Sequence, residues 1–260
     1  MSDTINPLDP LRTPAPDQPV LSPVAEKARI GSLDVLRGLA ILGILAVNAL
    51  AFAWPMQVYG DPGSAPFAMT GSNRVGVWVT EVFFHDKFRT LFSLLFGVSI
   101  FLVGGLPQDH ARGALLRRRL LWLGVIALIH GIAIWYGDIL LHYAYCGLLM
   151  MLMRGWPARR LLWIGGGISA LWTVLAFGGA LAMMALPAEF STKMQAGATM
   201  DPEAILATID RVRGGVVPAM TQNLINWAIL QGGSLFLIPV TVPLMMLGLG
   251  LFKSGFLTGR

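Results

Sequence analysis

The stretch RIGSLDVLRGLAILGILAVNALAFAW, Arg29 to Trp54, decides how this chain is read. From Val35 to Trp54 it supplies the roughly 20 mainly apolar residues that a helix needs to cross a bilayer. Asp34, Arg37 and Asn48 interrupt that apolar character. Across 260 residues the chain is 55% hydrophobic and 13% charged, more apolar surface than a soluble domain of this size buries. The expected fold is all-α: a polytopic transmembrane helix bundle.

Working outward by length and flanks gives about six spanning helices. The first is Val35 to Trp54, and the second is Phe88 to Leu106, preceded by an amphipathic stretch from Val75 to Phe84. Leu120 to Tyr136 and Ile139 to Leu152 form a tight hairpin about Gly137 and Asp138, followed by Leu161 to Leu186 and Leu224 to Phe252. Pro239 and Pro243 are expected to kink the last, because each removes a backbone donor.

The loops test this assignment independently. ARGALLRRR (Ala111 to Arg119), RGWPARR (Arg154 to Arg160), Lys27 with Arg29, and Lys253 with Arg260 all fall on one side of a six-span bundle. The positive-inside rule makes that side cytosolic, giving an N-in, C-in topology. The first thirty residues, polar and Pro-rich, read as a disordered cytosolic tail, and residues 31–260 as one transmembrane domain.

The net charge of +5 sits in short clusters between apolar runs, a distribution that orients membrane helices and argues against nucleic-acid binding. A single Cys, Cys146, excludes a disulfide or Cys-based metal centre within one chain, and no metal site or bound cofactor is expected. GGGIS (Gly165 to Ser169) and LGLGL (Leu247 to Leu251) read as packing notches rather than phosphate loops.

Ionisable groups at membrane depth are costly, so each is a candidate functional residue. Asp34 and Arg37 are three apart, the spacing of an interfacial ion pair. Asn48 lies on nearly the same face as Arg37, roughly 16 Å along the helix, and Ala40, Gly43 and Ala46 form a small-residue track beside that stripe. EVFFHDKFRTLF (Glu81 to Phe92) packs Glu81, His85, Asp86, Lys87 and Arg89 into nine residues, with Glu81, His85 and Arg89 on roughly one face of a continuous helix, either as a solvated interfacial turn or as the charged mouth of a cavity. ALIHGIAIWYGDILLHYAYC (Ala127 to Cys146) holds His130, expected near mid-membrane and suited to act as a general base. Asp138, four residues before His142, either orients that ring or caps the following helix.

SLDVLRGLAILGILAVN (Ser32 to Asn48), KFRTLFSLLFG (Lys87 to Gly97) and HGIAIWYGDILLHYAYCGLL (His130 to Leu149) together resemble the YeiB-like family of bacterial membrane proteins of unknown function. The first block also resembles the heparan-alpha-glucosaminide N-acetyltransferase catalytic domain, of a wider transmembrane acyltransferase superfamily. That resemblance implies acyl transfer from cytosolic acyl-CoA, as co-substrate, to an outward-side hydroxyl or amine acceptor such as a glycan. Asn48 matches the Asn that ends the relative's first helix motif, and Asp86 matches an Asp opening its second. The relative's catalytic His, in the loop soon after that Asn, has no counterpart in ALAFAWPMQVYGDP, so the base would be His130 or His85. YeiB-like chains usually continue through a Gly-Pro-x-Glu-Trp motif, so this chain, ending at FLTGR, is expected to be incomplete.

The resulting expectation assigns His130 and Asn48 to catalysis, and Arg37 with Arg117, Arg118 and Arg119 to the acyl-CoA phosphates. His85, Asp86, Asp138 and His142 are assigned to substrate binding. The bilayer, a small-molecule acceptor and a second copy of the chain are the expected partners. Two alternatives stand beside it: a solute transporter whose polar stripe lines a path, and a structural membrane subunit without catalysis.

Overall fold

The structure is a computed structural model that describes residues 31–65, 70–187 and 202–258. The N-terminal tail expected over residues 1–30 lies outside the described residues. Within them all regular structure is helical. The principal helices are α1 (Gly31–Ala53), α2 (Met56–Gly60), α3 (Gly71–Val79), α4 (Lys87–Gly104) and α5 (His110–Ile129). They continue with α6 (Leu140–Met153), α7 (Ala158–Ala185), α8 (Pro202–Arg213), α9 (Val216–Ser234) and α10 (Ile238–Lys253).

Among the described residues, four helical stretches are long and apolar enough to cross a membrane: Gly31–Ala53, Gly71–Gly104, Ala158–Ala185 and Val216–Lys253. The stretches expected as third and fourth spans differ in kind. α5 carries Arg112 and Arg117–Arg119 in its first half, which leaves only Leu120 to Ile129 uninterrupted, and α6 has 14 residues. Their connection is also longer than the expected two-residue turn. A π-helical turn, His130–Ile134, and an irregular segment precede Leu140.

α10 is the central element, packed against α7, α4 and α6, while α5 packs on α6 and α1 on α4. The core joins Ile100, Leu116, Tyr143, Met150, Leu161 and Met245, contributed by five helices. Glycines allow the closest approaches. A Cβ on Gly97 would lie 2.0 Å from the Met245 carbonyl oxygen, and one on Gly248 would lie 2.0 Å from that of Leu94. Gly165 and Gly250 give the same service between α7 and α10, so the notches expected in the two Gly-rich runs are real at these positions. Gly43, within the small-residue track of α1, seats the ring of Phe88.

The last stretch breaks where the prolines require it. α9 ends at Ser234, a 3-10 turn covers Leu235–Leu237, and Pro239 occupies the first turn of α10. There its missing N–H costs no helical hydrogen bond. Pro243 lies inside α10. The distal half of α7 has apolar side chains exposed around its circumference, including Leu171, Val174, Phe177 and Met184. A helix apolar on all sides belongs in lipid or in a core.

Candidate functional site

A cavity of about 120 Å³ forms where the second half of α1 meets the start of α4. Ile44, Val47 and Asn48 enter from α1, and Tyr59 from α2. Phe84, His85 and Asp86 come from the junction before α4, Arg89 comes from its first turn, and Gly137 and Ile139 close it from the hairpin. At ~30 Å³ per water it has the volume of about four waters. Two residues matched to the acyltransferase resemblance, Asn48 and Asp86, therefore share one wall with a histidine.

The junction is built by an irregular turn. Thr80–Phe84 is π-helical, closed by the His85 N–H donating to the Thr80 carbonyl at 2.8 Å. Asp86 then takes φ 59°, the only positive φ at a non-glycine residue among the described residues. Asp tolerates this left-handed conformation better than most residues, and such strain concentrates at functional sites. Its Oδ1 accepts from Arg89 Nε at 2.7 Å. Arg89 is held from behind: its carbonyl accepts from Ser93 Oγ at 2.8 Å and from Tyr143 OH at 3.3 Å.

His85 Nδ1 lies 2.7 Å from Glu81 Oε2, one turn earlier. In the tautomer with Nδ1–H donating to that carboxylate, Nε2 carries the lone pair, the arrangement of an oriented general base. Burial, then the Asp86 and Glu81 carboxylates, push the Tyr59 phenol above its ordinary pKa. It stays a protonated donor at the cavity wall. Glu81 and Arg89 belong to the charged stretch that the sequence offers as a cavity mouth, and the four-residue spacing from Glu81 to His85 is the signal for their pair. Tyr59 is the lining residue that sequence reasoning missed.

The remaining candidates lie elsewhere. Arg37 Nη1 pairs with Asp34 Oδ1 at 2.9 Å, as the spacing suggested, and Nη2 donates to Ser99 Oγ at 2.8 Å, tying α1 to α4. Arg117, Arg118 and Arg119 are exposed on α5, the last two beside Trp122 in a shallow surface depression. Neither Arg37 nor His130 lines the cavity that Asn48 lines.

His130 does not stand midway along a helix. α5 begins at His110, ten residues before the expected start, so His130 follows its end and opens the π turn. Its Nδ1 meets the enclosed Asp138 carboxylate at 3.0 Å. The suggested Asp138–His142 pair is replaced by this one, because the turn folds back across eight residues. Asp138 Oδ2 accepts from the Leu141 N–H at 3.0 Å, so the capping role is also present. His142 instead bonds Tyr145 OH and Thr241 Oγ1, each at 2.8 Å, joining α6 to α10.

Asp138→Ala is expected to cost about 3 kcal/mol, combining a lost cap with a lost hydrogen bond to a buried carboxylate. Asp138→Asn keeps the capping oxygen and should lose about half as much. Unfolding titrations in mixed micelles would measure both; equal stability of wild type and Asp138→Ala would contradict the pair.

Three related proteins are found by sequence comparison. The chain is 31% identical over 237 residues to the uncharacterized protein YeiB of Escherichia coli K12, covering 88% of this chain and 57% of the relative. It is 35% identical over 149 residues to the uncharacterized protein YxaH of Bacillus subtilis 168, covering 55% of this chain and 37% of that protein. An uncharacterized 39.9 kDa protein encoded beside a Bacillus acidopullulyticus amylase is 35% identical over 135 residues, covering 50% of this chain and 36% of its own length. The chain thus spans between about a third and three fifths of these relatives, which are consistent with a YeiB-like family. No family model and no solved structure matches.

Proposed function

We propose that this membrane protein takes part in acyl transfer, from cytosolic acyl-CoA to a hydroxyl or amine acceptor on the outward side, with a sugar as one such acceptor. The observation that carries the reading is the cavity lined by Asn48, Asp86 and His85, the last paired with Glu81. The base role passes from His130 to His85 because His85 shares a cavity with Asn48 and His130 does not.

In this mechanism the acceptor oxygen or nitrogen attacks the thioester carbonyl carbon and gives its proton to His85 Nε2. Glu81 stabilises the imidazolium, and the Asn48 amide donates to the carbonyl oxygen as negative charge develops on it. The C–S bond breaks, the thiolate of coenzyme A leaves, and it takes the proton from His85. Asp86 and Arg89 hold the acceptor side. Arg37 and Arg117–Arg119, at the opposite end, attract the donor's phosphates. Asp138 and His142 support the hairpin rather than contact substrate.

The reading includes six spans, N-in and C-in, with α5 and α6 as third and fourth, in a bacterial inner membrane. It also allows self-association in the bilayer. Its test is the chain in proteoliposomes with labelled acetyl-CoA on the side of Arg117–Arg119 and hydroxylated or amino sugars on the other. Label is expected in the enclosed acceptor. Label no greater than in protein-free vesicles, with solute flux that needs no acyl-CoA, would overturn the reading in favour of a transporter.

A further inference from the structure

A larger cavity of about 550 Å³ adjoins the small one across the hairpin, and acyl transfer uses none of its residues. It is enclosed by the end of α1, the hairpin segment Ala133–Tyr136, α8 and the first half of α9. Its volume lies in the range of small-molecule sites. One wall is aromatic: Phe52 meets Trp135 edge to face at 4.6 Å, and Trp135 meets Tyr136 at 5.7 Å. The Trp135 indole N–H is enclosed without a partner.

The facing wall is polar. Asn226 is buried, its Oδ1 accepting from Gln222 Nε2 at 3.0 Å. Among the described residues, Arg213, the last residue of α8, is the only charged one lining the chamber, and it forms no ion pair with another of them. A guanidinium across a chamber from aromatic rings, with no carboxylate among the described lining residues, favours an anionic group, which its fork binds in two-point fashion.

The surroundings identify the source of that group. Phe52, Ile134 and Val212 are lining residues that are also strongly exposed, as is the neighbouring Val216. They rim the chamber with apolar surface at the end of a candidate membrane span. α8 is amphipathic, with Ile205 fully buried while Glu203, Asp210 and Arg211 are exposed, the pattern of a helix lying at the bilayer surface. An apolar rim left exposed at the end of a membrane span faces lipid, and a membrane amphiphile would enter through it.

We infer that this chamber binds the head region of an anionic membrane amphiphile, with its phosphate or carboxylate on Arg213 and the Gln222–Asn226 amides and its apolar neck along Phe52 and Trp135. The site does not depend on the acyl-transfer reading.

The test is retention of lipid by the full chain, purified in detergent and measured by native mass spectrometry. The probes are phosphatidylglycerol, phosphatidylcholine of identical chains, and glycerol 3-phosphate. Wild type is expected to retain one phosphatidylglycerol and at least ten times less phosphatidylcholine. Arg213→Gln should lose about tenfold in phosphatidylglycerol retention with an unchanged unfolding midpoint. Ala219→Trp, which fills the chamber while keeping the charge, should lose as much. Equal retention of both lipids, or retention unaffected by either substitution, would overturn the site. Binding of glycerol 3-phosphate as strong as that of the lipid would overturn its membrane source.

Discussion

Gly97→Val and Gly248→Val should each destabilise the bundle by at least about 3 kcal/mol, the upper end of what overpacking costs. Each added Cβ would stand 2.0 Å from a carbonyl oxygen of the facing helix, and the obstacle is backbone rather than a side chain that can rotate away. α4 and α10 would have to separate along their whole contact, because both are rigid rods sharing one core with α6 and α7. Close approach through small residues is also the main source of helix association in lipid, where no hydrophobic force remains to compensate. Gly167→Val provides the contrast, since a Cβ there meets nothing within 4 Å. Unfolding titrations of the three variants decide the matter; Gly97→Val as stable as Gly167→Val would refute the close contact.

His85→Gln is expected to lower the rate of acyl transfer by about 10²- to 10⁴-fold, the usual contribution of a positioned general base. Glu81→Gln keeps a hydrogen-bond partner but removes the charge that stabilises the imidazolium, and its loss should be smaller. His110→Gln, at the first turn of α5 on the far side of the bundle, should leave the rate unchanged. Initial rates in proteoliposomes would show this order. Full activity in His85→Gln alongside active wild type would remove His85 from the mechanism while leaving transfer itself established.

Much of the fold is legible from local pattern. Long apolar runs give α1, α4, α7 and the α9–α10 stretch, and the amphipathic segment from Val75 to Phe84 becomes α3 and its π turn. Proline chemistry locates the break before α10, and Gly-rich runs mark where helices touch. The site is legible only in part. Asn48, His85 and Asp86 can be singled out as costly polar residues, but their meeting depends on how α1 packs against the start of α4. The helical spacing rule fails for Asp138: four residues suggest His142, yet an irregular turn brings His130 to the carboxylate instead. Arg37 likewise shows its near partner, Asp34, in sequence, whereas Ser99 is 62 residues away.

The two histidines that meet carboxylates are each attached to a π turn, one directly after Thr80–Phe84 and the other at the head of His130–Ile134. A π turn is an α-helix with one residue too many. Deleting a single residue from either turn would remove its wider closure and shift the histidine's register against its carboxylate, while leaving the apolar character of the stretch intact. Each turn runs into non-helical backbone, at His85 and Asp86 in one case and at Trp135 in the other, so the deletion moves the point where the helix stops. The two sites are therefore encoded in a count as much as in residue types, and one-codon deletions would separate insertion into the membrane from whatever these histidines do there.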